Sequence, residues 1–244
     1  RVLITGITGQ DGGYLAAQLL AEGAEVHGLV HQLDPSAADF RVAHPTAKLH
    51  VGDLADHGAL RSLVEAVDPE EVYNLAGVSS VAFSWENPVT TAELTGVAAA
   101  VLLQAALAVQ DRTGHPVAFV QASSSEIFGD APSYPQDEGT PIRPVSPYGA
   151  AKAFAHHMVG VYRGKGLHAS SCILFNHEAP RRPPTFVTRK ITAAAARIGR
   201  HGAGVIELGN LEARRDWGWA PDYVDAMVRA ARHAAADDFV IATG

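Results

Sequence analysis

At 244 residues with 47% hydrophobic content, the chain carries enough apolar mass for one large domain, or one domain with a lobe, and disorder is not its default. A net charge of −7 without a long basic run gives no electrostatic support for binding nucleic acid or an anionic membrane surface. The single cysteine, Cys172, excludes an internal disulfide framework, suits a reducing compartment and, in an apolar segment, reads as a buried inert thiol.

In chain order, the apolar run Val2 to Thr5 leads into TGITGQDG, Thr5 to Gly12, and then into an amphipathic stretch carrying Leu15, Leu19 and Leu20. Strand, glycine-rich turn and helix follow in the order that a dinucleotide site needs. Gly6, Gly9 and Gly12 recur every three residues, so the backbone turns tightly and approaches a pyrophosphate met by helix N-terminal amides. The candidate cofactor loop is Gly6, Thr8, Gly9, Gln10, Asp11 and Gly12.

Further β-rich runs at Glu25 to Val30, Lys48 to Val51, Glu71 to Leu75, Val117 to Ala122 and Ser170 to Leu174 alternate with helical patterns at Tyr14 to Glu22, Ala59 to Val67, Ala92 to Val109 and Tyr148 to Arg163. Gly23 and Gly114 are placed to stop helices. This rhythm predicts an α/β fold, a doubly wound parallel sheet of Rossmann type covered on both faces. The longest apolar stretch, Gly96 to Val109, is interrupted by Gln104, falls short of a membrane span and reads as a buried helix.

After Leu174 the character changes. FNHEAPRRPPTFVTRK is rich in proline and charge and reads as a substrate-facing excursion. A helix from Thr188 to about Ile198, a short strand near Val205 to Leu208, the polar GNLEARRDWGW and a helix from Pro221 to about Ala235 follow. The organisation expected is a dinucleotide-binding domain over 1–175, a smaller and incomplete substrate-binding lobe over 176–220, and a return to the first domain over 221–244.

Chemistry concentrates where strands end. Asp53, in VGDL, is placed to accept from an adenine amino group with Leu54 against the ring; it serves equally as the N-cap of the next helix. Leu75, Ala76 and Gly77 of NLAG permit close backbone approach to a cofactor, or form a plain turn. Ser123, Ser124 and Ser125 end the fifth predicted strand at the sheet edge where such folds place ligands. Ser124 is the candidate hydroxyl for a substrate oxygen, and Glu126 either presents a carboxylate to the same pocket or is a solvated loop residue. Tyr148 and Lys152 lie one helical turn apart, so an ammonium can lower the phenol's pKa and make it a base. Twelve histidines without HExxH or a Cys/His cluster point to no metal site, and without GxSxG to no Ser/His/Asp hydrolase.

These residues resemble the extended short-chain dehydrogenases/reductases and, among them, the GDP-mannose 4,6-dehydratase family. GxxGxxG and YxxxK are general to the superfamily; TGITGQDG, VYNLAG, QASSSEIFG, LFNHEAPRR, TFVTRKI, LGNLEARRDWG and DYVDAM are more discriminating. The resemblance implies oxidation of GDP-mannose, or a related GDP-hexose, at C4 by NADP, loss of water across C5 and C6, and return of the hydride to C6. It implies that Tyr148 takes the C4 hydroxyl proton, Lys152 lowers its pKa and holds the nicotinamide ribose, Ser124 orients the substrate oxygen, and Glu126 removes the C5 proton. His177 joins the cofactor set by the same resemblance. Ser125, Asn176, Glu178, Arg181, Val187, Lys190, Gly209, Asn210 and Arg215 are the implied sugar-nucleotide contacts, with Arg215 the stronger diphosphate candidate beside Arg181 and Arg182.

Where the family places arginines after the second strand, this chain has His31, Gln32, Leu33 and Asp34, which admits NAD beside NADP. Ser80 and Trp219 stand where the family has histidine. The opening at Arg1 and the stop at Gly244 lead us to expect a trimmed sequence, because the resemblance implies a further lobe beyond IATG. A strand rather than a signal at the start makes a cytoplasmic location the expectation, and the resemblance implies a homodimer or homotetramer. Without a role for Glu126, the same Tyr–Lys pair fits an epimerase or reductase; without catalysis, a dinucleotide sensor.

Overall fold

The structure is a computed structural model that describes residues 1–32 and 34–244. Leu33, which follows the His31 and Gln32 that stand in place of the family's arginines, lies outside the described residues. The order of elements is β1 (Val2–Thr5), α1 (Gln10–Ala21), β2 (Val26–Val30), α2 (Ser36–Ala43), β3 (Lys48–Val51), α3 (His57–Val67), β4 (Glu71–Asn74), α4 (Val81–Glu86), α5 (Pro88–Thr91), a π turn (Ala92–Val97), α6 (Ala98–Thr113), β5 (Ala118–Ser124), a 3₁₀ turn (Ser125–Ile127) and α7 (Pro147–Arg163). It continues with β6 (His168–Leu174), β7 (His177–Glu178), α8 (Val187–His201), β8 (Gly218–Trp219), α9 (Ala220–Ala231) and β9 (Asp238–Ile241).

Seven parallel strands form one sheet in the order β3-β2-β1-β4-β5-β6-β9, the doubly wound Rossmann arrangement. Its faces are apolar because parallel strands are covered on both sides. Leu15, Leu19, Tyr223 and Met227 of α1 and α9 pack with Ile4 and Val120 on one face; Leu60 and Val64 of α3, Leu102 and Leu103 of α6 and Val159 of α7 pack with Leu3 and Phe119 on the other. The helical run Pro88–Thr113 is long and apolar enough to cross a membrane by length and composition, yet Leu102, Leu103 and Ala106 sit fully buried in this second layer.

Direction reverses between β1 and β4, which opens a crevice at their carboxyl ends. A buried polar ladder holds that edge. Thr5 Oγ1 donates to Asn74 Oδ1 at 2.6 Å, Asn74 Nδ2 donates to Gln121 Oε1 at 2.8 Å, and Gln121 Nε2 donates to the Ala122 carbonyl at 2.9 Å. Each group is satisfied, so the ladder avoids the penalty of unpaired buried polar atoms.

Three local expectations differ. No strand forms at Val205 to Leu208, where Val205 is exposed and the segment meets no sheet edge to pair with. Helix α2 was not expected, because it anchors to the core through Phe40 alone and its sequence shows little amphipathic period. Strands β7 and β8 are a two-residue parallel pairing, too short to carry a pattern.

Candidate active site

The loop after β1 and the loop after β4 touch. Gly6 has φ +70°, and a Cβ there would lie 2.9 Å from the Ala76 amide nitrogen; one at Gly12 would lie 2.3 Å from the Gly6 carbonyl oxygen. Only glycine permits both approaches. Gly9 caps α1 with no side-chain bond, so the first-turn amides face a cleft of about 480 Å³. Gly6, Thr8, Gly9, Gln10, Asp11, Gly12, Asp53, Leu54, Leu75, Ala76 and Gly77 all line it, joined by Arg182 and by Val78, Leu94 and Phe186, which the sequence did not single out. Amide-lined at one point and apolar along its walls, this cleft fits a nicotinamide dinucleotide. Asp53 is not a helix cap: its Oδ1 accepts from the Ala55 amide at 2.9 Å, while Asp56 caps α3 through Ala59.

Asp11 turns its carboxylate inward. His177 Nε2 lies 2.8 Å from Asp11 Oδ2, His177 Nδ1 lies 2.7 Å from the Phe175 carbonyl, and the imidazole stacks on Tyr223 at 4.4 Å. Burial alone would raise the Asp11 carboxyl, but the His177 bond and charge, the Gln10 bond and the Arg182 charge hold it below its ordinary value. Burial likewise works against a charged His177, and the Asp11 bond and charge outweigh it and raise the imidazole. Among the cofactor candidates, His177 and Asp11 therefore tie α1 to the segment after β6.

The four catalytic candidates converge where β5 ends. Ser146 caps α7 by accepting from the Gly149 amide at 3.0 Å, and Pro147 fills the first helical position, so Tyr148 enters the helix one residue later. A Cβ on Gly149 would lie 2.6 Å from the Glu126 carbonyl oxygen. That absent methyl lets α7 press on the 3₁₀ turn, with Ser124 close enough to Tyr148 to favour its ionised form. Ser124 Oγ also accepts from the Glu126 amide at 3.3 Å. Lys152, 6% exposed, lies 5.9 Å from the Tyr148 ring centroid and donates to the Ala122 carbonyl at 2.8 Å.

The expected lowering of Tyr148 by Lys152 is not what this arrangement gives. Burial pushes the phenol above its ordinary value; the Ser124 bond and the Arg182 charge pull it back, while the Glu126 and Asp11 charges push it further. Burial also pushes the Lys152 amine down to about 8, partly countered by Asp11.

A second cleft of about 790 Å³ is lined by Ser125, Glu126, Asn176 and Arg215 of the expected set, together with Arg214, Asp216 and Tyr134. Arg214 and Arg215 give it positive charge. The other expected substrate contacts lie elsewhere. Arg181 packs on α1, with its guanidinium 5.9 Å from the Tyr14 ring centroid and in the space that a Gly13 side chain would fill. Its neighbour Arg182 lines the first cleft instead. Glu178 is engaged by Arg182 at 3.3 Å and by Thr188 Oγ1 at 2.5 Å. Val187, the first residue of α8, lines neither cleft; Lys190 donates to the Glu207 carbonyl at 2.5 Å across a separate depression. Gly209 and Asn210 sit in an exposed loop where Asn210 accepts from the Glu212 amide.

Of the two family departures, Ser80 caps α4 by accepting from the Phe83 amide, and Trp219 lies 6.5 Å from Tyr14, ring to ring.

The profile of the GDP-mannose 4,6 dehydratase family matches residues 3–244. The chain belongs to that family. GDP-mannose 4,6 dehydratase 1 of Arabidopsis thaliana is 45% identical over 99% of this chain and 69% of its own length. The GDP-mannose 4,6 dehydratase of Homo sapiens is 46% identical over 99% of this chain and 67% of its own. Among solved structures, the NAD-dependent NDP-hexosamine 5,6-dehydratase TunA of tunicamycin biosynthesis superposes with a TM-score of 0.79 at 26% identity, covering all of this chain and 76% of TunA. This family member therefore spans about two thirds of the length of those curated relatives.

Proposed function

We propose that the chain is a GDP-mannose 4,6-dehydratase that converts GDP-mannose to GDP-4-keto-6-deoxymannose. The observation that carries this reading is the seating of Glu126 and Tyr148 on either side of the Gly149 contact, with Ser124 beside both, in a chain of this family. A bound nicotinamide dinucleotide supplies the reversible oxidation at C4 and the reduction at C6. The TunA likeness supports such a cofactor, while the family resemblance favours NADP.

The Ser124 hydroxyl and the Tyr148 phenolate hold the C4 hydroxyl between them, and the phenolate takes its proton. Once C4 is a ketone, the C5 proton is acidic, and the Glu126 carboxylate removes it and delivers a proton to the departing C6 hydroxyl. Lys152 holds the Ala122 carbonyl and the cofactor ribose, and Arg215 and Arg214 meet the diphosphate in the second cleft. Asp11, Gln10 and the first-turn amides of α1 hold the cofactor's loop.

Glu126→Gln tests the reading. Incubated with GDP-mannose and either dinucleotide, the unaltered protein is expected to yield a product lighter by one water in mass spectrometry. The variant should lose that product by at least about 10²-fold while still binding the dinucleotide. Undiminished product would remove Glu126 from the elimination and favour an epimerase or reductase.

A further inference from the structure

One end of the first cleft is acidic. Asp34 Oδ2 accepts from Thr8 Oγ1 at 2.5 Å and its Oδ1 accepts from the Ser36 amide at 2.8 Å, so the carboxylate is pinned to the glycine-rich loop at the cleft wall. The Asp53 carboxylate lines the same cleft and lies 3.7 Å from His31 Nε2. Among the described residues that line the cleft, Arg182 is the only arginine or lysine. Its guanidinium lies 3.3 Å from Glu178 and 3.7 Å from the Phe186 ring centroid.

In a strand, glycine loop and helix site, the adenosine ribose lies beside the end of the second strand. A carboxylate there accepts from ribose hydroxyls, whereas a 2′-phosphate needs a cation. A doubly charged phosphate beside Asp34 and Asp53 meets repulsion, and among the described residues lining the cleft the groups that could offset it are Arg182, paired with Glu178, and the His31 imidazole, beside Asp53. Both Asp34 oxygens keep a free lone pair after their present bonds.

We infer that Asp34 is the specificity-determining residue for the dinucleotide, selecting NAD over the NADP that the family resemblance implies. This rests on the cofactor reading above.

The test is equilibrium titration of the intact protein by calorimetry, with NAD and NADP in separate runs and no sugar nucleotide present. NAD is expected to bind at least about tenfold more tightly than NADP, the scale of a like-charge clash. Asp34→Asn, which keeps an acceptor for the Ser36 amide, should narrow the ratio to about threefold or less, chiefly by strengthening NADP. Raising the salt should narrow it in the unaltered protein too, which a purely steric exclusion would not do and which needs no variant to fold. NADP binding as tightly as NAD, or a ratio unmoved by both Asp34→Asn and salt, overturns the inference. Failure of both dinucleotides to bind would instead overturn the cofactor reading beneath it.

Discussion

At Lys152, burial and charge act in opposite directions. The amine is lowered from 10.5 to about 8 because its charged form loses water, and the Asp11 charge recovers only part of that. The folded pKa lies below the unfolded one, so carrying the charge costs stability below about 8, and the cost fades as pH rises from there to 10.5. Compared with Lys152→Met, the unaltered protein should therefore gain about 2–3 kcal/mol between pH 8 and 10.5, read by urea unfolding along that range. A flat difference would mean that Lys152 is well solvated. Residue identity at this scale was largely legible: YGAAK and SSSE announced Tyr148, Lys152, Ser124 and Glu126. Arg181 and Arg182 were not separable, since a polar loop has no period that tells which of two adjacent side chains faces a cleft.

Between elements, small contacts decide the site. Gly149→Ala would put a methyl 2.6 Å from the Glu126 carbonyl and force α7 off the 3₁₀ turn. We expect a loss of about 1–3 kcal/mol in stability with a larger loss in kcat than in dinucleotide affinity, measured by thermal unfolding, turnover and titration. The Asp11–His177 pair joins α1 to the segment after β6 and has a pH signature. The raised His177 contributes fully below 6.5 and fades as pH climbs through its folded value; the lowered Asp11 contributes above 3.8 and fades as pH falls through its own. The unfolding midpoints of the unaltered protein and Asp11→Asn should thus differ most between 3.8 and 6.5 and converge on both sides. The sequence named both residues as cofactor contacts. Their mutual bond spans 166 positions and has no local trace.

Across the molecule, several large apolar side chains on three packed helices are exposed. Phe83 and Trp85 of α4, Val89 of α5, and Phe154 and Val161 of α7 are exposed, Trp85 at 63%, and these helices pack on one another. We propose that they are contacts of the homodimer or homotetramer that the resemblance implies, because burying them gains roughly 25 cal/mol per Å². Trp85→Lys with Phe154→Lys is expected to lower the mass seen by sedimentation equilibrium while far-ultraviolet dichroism stays unchanged. An unaltered mass would assign those side chains another role.

By itself, the sequence determined the alternation of strand and helix and the glycine loop, because each is written in local periods and backbone demands that neighbours in the chain impose, and its short motifs named the candidate catalytic side chains. Only the tertiary structure decided which arginine faces the cofactor cleft, that Asp11 spends its charge on His177, that 205–208 forms no strand, and that Asp34 and Asp53 share one cleft. Those depend on surfaces brought together from distant parts of the chain, where packing and desolvation, rather than local preference, set the outcome.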